Sequence, residues 1–181
     1  MTEPTKPDSV YCPICGTRLR QRANDVPVCP ACGRVAYADP KFAAAAVIPH
    51  DGGIVLVQRA IEPGLGMWSF PSGYVNRGEV PGRAVEREVL EECGLIVSAD
   101  WVVGIYATTG QPVVLGVYNA EVLGGALTAG DETLAARVFP VDDLPTMAFP
   151  FDDQIVEDWL EGRRLRGVDG EGGIRKGRGR L

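Results

Sequence analysis

Between Gly73 and Leu95 the chain reads GYVNRGEVPGRAVEREVLEECGL, and three of its carboxylates sit at a spacing that chemistry can use. On a helix over Val85 to Leu95, turning about 100° per residue, Glu88 and Glu92 fall one turn apart on one face, with Glu91 beside them. Val85 and Val89 adjoin the same side. A solvated amphipathic helix sets its acids opposite its apolar stripe. Here they border it, so they are expected at the rim of the interior. Like charges at this spacing repel by roughly 0.2–0.5 kcal/mol per pair, and more when partly buried. Something positive is needed. A hard divalent cation such as Mg²⁺ or Mn²⁺, which takes oxygen ligands, is the economical choice; the bland alternative is an ordinary acidic surface helix.

A second set of candidate ligands lies near the start, in YCPICGTRLRQRANDVPVCPACG. Cys12 and Cys15 form one C-x2-C pair and Cys29 and Cys32 another, each followed by glycine. Two tight turns of this kind can present four sulfurs tetrahedrally to Zn²⁺, and the glycine lets the backbone turn back beneath the metal. The segments Thr17–Arg20 and Val26–Val28 fit two short strands, so residues 8–36 look like a zinc ribbon with a structural role. Two disulfides, disfavoured in a reducing compartment, or iron in a rubredoxin-like pair of knuckles remain open alternatives. Cys93, the fifth cysteine, reads as a bystander thiol.

The central stretch resembles the signature of the Nudix hydrolases, G-x5-E-x7-R-E-U-x-E-E-x-G-U with U aliphatic. Gly73, Glu79, Arg87, Glu88, Val89, Glu91, Glu92, Gly94 and Leu95 fill every specified place in register. The resemblance implies an α/β fold, an α-β-α sandwich around a mixed β-sheet. It implies that Glu88, Glu91 and Glu92 are ligands of Mg²⁺ or Mn²⁺, with Glu88 and Glu92 the principal ones and the Gly73 main-chain carbonyl completing the sphere. Arg87 would orient the glutamates and Glu79 would tie the loop to the helix. The base that activates water varies in the family; Glu132 is the candidate for base or extra ligand. The implied reaction is hydrolysis of a phosphoanhydride, a bond ready to break but shielded by its own charge, which bound cations offset.

The elements around these residues follow from pattern. The chain has 181 residues, 45% hydrophobic and 23% charged, which fits one domain of ordinary size with a small appendage. No apolar run approaches the ~20 residues that span a membrane, and MTEPTKPDSV lacks the apolar core of a secretory leader. A cytoplasmic location is therefore expected. The net charge of −6 is uneven: from Gly162 onward seven basic residues against two acidic ones give +5, leaving −11 for the remainder. So acidic a body disfavours general nucleic-acid binding, and Arg18, Arg20 and Arg22 add too little to change that.

Phe42–Pro49 and Ile54–Gln58 read as strands joined by a hairpin turn at His50–Gly53. His50, the only histidine, is an inert turn residue on this reading. Ile96–Val103, Ile105–Thr108 and Val113–Ala120 read as further strands broken at Gly104 and Gly110–Pro112. A strand within Asp131–Pro140 and an amphipathic helix over Asp152–Leu160 follow, with Ile155, Val156, Trp159 and Leu160 packing and Asp152 or Asp153 as N-cap. Residues 37–161 would form the hydrolase domain, entered through a linker at Ala36–Lys41, and 162–181 a disordered Gly/Arg-rich tail.

Substrate choice lies in the flanks. Trp68 could stack on a base, and Phe149 with Phe151 could form an adenine or flavin slot, though packing is the commoner role for all three. Ribbon, signature and compact second half together resemble the ribbon-bearing Nudix enzymes acting on ADP-ribose, FAD or NADH. Pro112 stands near the proline that ADP-ribose hydrolases tend to carry beyond the signature. Only Gln111-Pro112 resembles the longer motif of NADH pyrophosphatases, which weighs against NADH. The expected partner is thus a small nucleoside diphosphate linked to another moiety. Pairing into a homodimer is an expectation from the resemblance, and neither a membrane nor nucleic acid is expected. Clean-up of oxidised nucleoside triphosphates and a non-catalytic nucleotide-sensing module are the alternatives.

Overall fold

The computed structural model describes residues 11–19, 28–35 and 39–168. The chain divides into two units, Met1–Lys41 with Thr108–Val113, and Phe42–Ala107 with Val114–Leu181. In chain order the elements are β1 (Lys41–Val47), β2 (Pro49–His50), β3 (Gly53–Arg59), β4 (Trp68–Ser69) and β5 (Ser72–Tyr74). Then come α1 (Pro81–Cys93), β6 (Leu95–Ala107), β7 (Val113–Gly125), β8 (Thr133–Phe139) and α2 (Asp152–Arg166).

The smaller unit contains two knuckles built alike. Gly16 N–H donates to Cys12 C=O and Gly33 N–H to Cys29 C=O, both at 2.9 Å, and both glycines hold the left-handed conformation that turn needs (φ 68° and 71°). Among the described residues Tyr11 bridges Arg18 and Val28 bridges Val35, while Arg20, Val26 and Pro27 of the two expected strands lie outside them. Residues 20–27 and 36–38 lie outside the described part, and with them part of the predicted linker.

The larger unit is a layer of strands with a helix on each side. One sheet runs β5-β1-β7-β6; the other joins β2, β3 and β4, with β8 pairing β3. The β1–β5, β2–β3, β3–β4, β3–β8 and β6–β7 pairs are antiparallel. At the head of β1 and β7 Lys41 N–H donates to Pro112 C=O (2.8 Å), so those two strands start together and run parallel, making the sheet mixed. Period-two alternation explains why Ala44–Val47 of β1 and Ile54–Val57 of β3 are apolar at every position. Ala44, Ala46, Ile48, Val55 and Val57 pack with Val85 and Val89 of α1, while Ala45, Val47, Ile54 and Leu56 pack with Ile155, Val156 and Trp159 of α2. The Ala-rich FAAAAVI is a strand because both of its faces meet a helix. Between β2 and β3 the chain turns on Asp51 (φ 45°) and Gly52 (φ 80°), the two positive φ values of a type I′ hairpin.

Several boundaries differ from the sequence expectation. Helix α1 starts at Pro81, whose fixed φ and missing N–H suit the first helical position. It ends at Cys93, because Gly94 turns left-handed (φ 71°) and sends Leu95 into β6. Gly104 does not break β6; the strand continues through it with a register shift. Helix α2 runs past Leu160 and through Gly162 to Arg166, so the predicted tail begins too early. Gly162 is a packing position: a Cβ there would overlap the Trp101 ring, over which Arg166 lies at 4.1 Å. The cap of α2 is Phe151 rather than Asp152 or Asp153, and Leu160 is exposed. Residues 169–181 lie outside the described part. Among the described residues no helix is long and apolar enough to cross a membrane.

Ile54 has no exposed surface and faces α2 across the sheet. Ile54→Ala is expected to lower unfolding free energy by about 2–5 kcal/mol, the range for such a core truncation. Urea unfolding at an unchanged slope is the check; a loss under about 1 kcal/mol would contradict the packing described.

Candidate active site

The glutamates of α1 come to the rim of the interior, as their border position on the helix requires. Val85 and Val89 are buried against the sheet; Glu88 and Glu92, one turn apart, are half-buried beside them, and Glu91 faces outward with 58% of its side chain exposed. Gly73 on β5 passes directly over Glu88. A Cβ at position 73 would occupy the space of the Glu88 carboxylate, so glycine is dictated by close approach rather than by φ. The next strand residue toward β4 is also engaged: Ser72 N–H donates to Glu92 Oε2 at 2.8 Å.

Arg87 organises the rest. Its Nε and Nη2 grip both oxygens of Glu79 (2.9 and 3.0 Å), Nη1 reaches Glu88 Oε1 (2.6 Å) and Glu91 Oε2 (3.2 Å), and Nη2 also donates to Tyr74 C=O (3.1 Å). Glu79 in turn accepts Asn76 N–H (2.9 Å), which ties the Gly-rich loop to the helix. One planar fork thus spans three carboxylates, a geometry that suits arginine and not lysine.

The electrostatics divide the acids by burial. Glu79 is held down at about 2 by its hydrogen bonds from Arg87 and Asn76. Burial pushes Glu92 up to about 7 despite the Ser72 bond, and the charges of Glu88 and Glu132 push the same way. Burial likewise raises Glu88, outweighing Arg87, with Glu91 and Glu132 adding to it. Two acids that resist ionisation in one place fit a hard cation: oxygen donors one helical turn apart, short of positive charge. The structure does not draw them into a finished cage, since Arg87 and Ser72 already hold their oxygens. Among the described residues the four cysteine sulfurs are the one group of three or more such donors close enough together for a single ion.

Glu132, just before β8, is exposed; its charge reaches Glu88 and Glu92, and its C=O accepts Ala60 N–H (3.2 Å). What brings it there is a clamp that sequence reading missed. Gly130 N–H and Thr133 Oγ1 both donate to Glu92 C=O, at 3.0 and 2.9 Å, and no side chain fits at Gly130, which lies against Glu91 C=O. The proposed stacking residues separate. Trp68 packs edge-on against Phe139 (4.7 Å) and Phe151 against Tyr106 (5.7 Å), both in the α2-side core, whereas Phe149 lies under Arg59 (5.0 Å). Arg59 was not singled out from sequence; the signal available was a lone cation ending an apolar strand. Cys93 is buried, bonded to Val89 C=O (3.1 Å), and burial pushes its thiol up to about 11, which makes it inert.

In the smaller unit the sulfurs of Cys12, Cys15, Cys29 and Cys32 lie within 4.8 Å of one another. The Cys15 and Ile14 backbone N–H groups lower the Cys12 thiol, and the Thr17 hydroxyl brings Cys15 down to about 6. Against the Arg34 backbone N–H, which lowers it, the Cys29 and Cys12 sulfurs push the Cys32 thiol up to about 12, the mark of sulfurs crowded together; four sulfur donors on paired knuckles fit Zn²⁺.

A layered α/β domain with half-buried glutamates of one helix set against a glycine strand offers oxygen donors to a hard cation. Residues 40–159 match the NUDIX domain, and the chain belongs to the Nudix hydrolase family. It is 34% identical over 128 residues to an ADP-ribose pyrophosphatase of Methanocaldococcus jannaschii, covering 68% of this chain and 75% of that protein. It is 31% identical to an NAD-capped RNA hydrolase NudC of Stutzerimonas stutzeri over 76% of this chain, but spans only 50% of that relative. Among solved structures, a NUDIX hydrolase of Nitrosomonas europaea superposes with a TM-score of 0.75 at 26% identity, covering 86% of this chain and 92% of that one. An ADP-ribose pyrophosphatase of Streptococcus suis gives 0.59 at 29% identity over 74% and 95%.

Because Arg87 holds the Glu79 value below that of the free side chain, the pair contributes stability above about pH 4.5 that is lost as pH falls toward 2. Glu79→Gln is expected to lower the melting temperature at pH 7 and to flatten its fall between pH 4.5 and 2. Thermal unfolding across that range tests it; a slope equal to wild type would refute the assignment.

Proposed function

We propose that this protein hydrolyses the pyrophosphate bond of a nucleoside diphosphate linked to another moiety, ADP-ribose or FAD first, releasing AMP and a second phosphomonoester. The observation that carries the reading is the half-buried Glu88–Glu92 pair beneath Gly73, short of positive charge, in a member of this family. Likeness to an ADP-ribose pyrophosphatase over three quarters of its length supports the substrate class.

In this mechanism Glu88 and Glu92, with Glu91 and the Gly73 carbonyl, are the residues that would hold Mg²⁺ or Mn²⁺, and a cation held there would supply charge neutralisation of the diphosphate and polarisation of a phosphoryl oxygen. Arg87 keeps Glu88 and Glu91 at the helix rim. Glu132, exposed and within electrostatic range of the pair, takes the proton from the attacking water. That water's oxygen joins one phosphorus, and the bridging oxygen leaves with the other. The smaller unit binds structural zinc through Cys12, Cys15, Cys29 and Cys32. The similarity to NudC keeps a pyridine dinucleotide as the second reading.

Incubation with ADP-ribose, FAD, NADH and oxidised dGTP in Mg²⁺ or Mn²⁺ should give AMP from one of the first two. Glu92→Gln should cut kcat by about 10²-fold or more, the order lost when one electrostatic stabiliser is removed, with the fold intact. Unchanged turnover in that variant would sink the reading, and pyrophosphate release would move it to triphosphates. Elemental analysis should find about one zinc per chain, lost in Cys29→Ser; iron, or no metal, would reject the zinc assignment.

A further inference from the structure

A single hydroxyl joins the helix of acids to the strand that follows the Glu132 loop. Thr133, at the head of β8, is 8% exposed. Its Oγ1 donates to Glu92 C=O at 2.9 Å and accepts Gly130 N–H at 2.9 Å, while Gly130 C=O stands farther off at 3.2 Å. A hydroxyl has one proton, and the shorter contact takes it. The proton therefore goes to the end of α1 and a lone pair to the loop. A β-branched side chain is stiff about its first bond, which keeps that oxygen in place.

The backbone around Thr133 is shaped for this contact. Between Gln58 and Arg59 the β3–β8 register slips: Gln58 faces Ala135 and Arg59 faces Thr133, so Leu134 has no opposite number. Such a bulge re-aims side chains at the end of a strand. Here Thr133 turns inward while Leu134 is exposed. Ala60 N–H holds the Glu132 C=O (3.2 Å), and Thr133 N–H goes to Gly130 C=O (3.2 Å). The main chain of Glu132 is thus fixed on both sides, while its side chain is exposed and its charge reaches Glu88 and Glu92. Packing alone does not call for the hydroxyl, because the Gly130 N–H already ties the loop to the same Glu92 carbonyl (3.0 Å). What the hydroxyl adds is a second, directional link from the residue beside Glu132 to Glu92.

We propose, resting on the reading of Glu132 as the base, that Thr133 is a positioning residue: anchored to the Glu92 main chain, it holds the neighbouring Glu132 carboxylate at a fixed place relative to the Glu88–Glu92 pair. Thr133 itself touches neither substrate nor cation. The step it serves is the hydrolysis already written: the water oxygen joins one phosphorus, its proton goes to Glu132, and the bridging oxygen leaves with the other phosphorus. A base works only within hydrogen-bond reach of the proton it takes. A residue that sets the base's place to within an ångström therefore governs rate rather than affinity.

The test is steady-state turnover by the full chain in Mg²⁺ of ADP-ribose or FAD, whichever wild type hydrolyses faster. Thr133→Val, which keeps the shape and removes the hydroxyl, should lower kcat about tenfold or more and leave KM within about threefold. Thr133→Ser, which keeps the hydroxyl, should stay within about threefold of the wild-type kcat. Glu132→Gln should cost about 10²-fold. Adding Thr133→Val to it should cost no more than about twofold further, because the group being positioned is already gone. A merely structural role would lower the melting temperature of Thr133→Val without this split or this non-additivity. If Thr133→Val does not fold, Thr133→Ala is read against Thr133→Ser in its place. Wild-type kcat in Thr133→Val, equal losses in Thr133→Val and Thr133→Ser, or a full further loss in the double variant overturns the role of Thr133 and leaves the hydrolase reading standing. Wild-type kcat in Glu132→Gln overturns the base assignment and this role together. No hydrolysis by wild type overturns the hydrolase reading and this role with it.

Discussion

The structure depends on a burial conflict in α1. The helix can bury Val85 and Val89 only by carrying Glu88 and Glu92 to the same rim, because residues three and four apart share a face. Desolvating two carboxylates side by side is unfavourable, and their raised proton affinities measure it. Arg87 relieves the conflict in part: it binds Glu88 and Glu91 while both of its remaining edges go to Glu79 and the Tyr74 carbonyl. Among the described residues no cation reaches ion-pair distance of Glu92, which takes the Ser72 N–H and feels Arg59 only from farther off. The deficit is therefore concentrated where a hard ion would relieve it.

The flanking elements make sense as devices for keeping that deficit in place. β5 must pass so close to Glu88 that only glycine fits at position 73. The C-terminus of α1 is pinned by Gly130 and Thr133 onto the Glu92 carbonyl, which also brings Glu132 alongside. Neither contact adds to the core. Both fix where a carboxylate stands, and a site that acts by electrostatics gains most from groups that need not reorganise.

How much of this could be read from sequence follows from range. The signature is contiguous, and its spacing projects onto one helical turn, so the shared face of Glu88 and Glu92 and the reach of Arg87 to Glu91 were legible without coordinates, whereas the close approach of Gly73 to Glu88 was not. The cysteine pairs were legible for the same reason. Chain punctuation was less dependable. Gly94 ends a helix and Gly162 sits inside one, because the first needs a left-handed φ and the second needs room for Trp101. Pro81 carried a start signal that the apolar periodicity alone placed four residues late. Thr133 could not be found from local pattern: 41 positions from Glu92 in sequence, it gains meaning only when the loop before β8 reaches the end of α1.

Long-range pairing also bears on specificity. On the proposed reading the helix signature handles a phosphate through charge and is indifferent to what is attached beyond it. Discrimination must come from groups fixed by the rest of the fold, and those are loops laid on strands: Glu62–Gly66 against Ala148, and Thr146–Phe149 against Trp68. Trp68 and Phe151, committed to Phe139 and Tyr106, stiffen this surface from behind. Phe149 is the aromatic residue left facing a cation instead of a core. On the proposed reading, changes confined to these loops would alter the molecule bound without disturbing the charge deficit at Glu88 and Glu92.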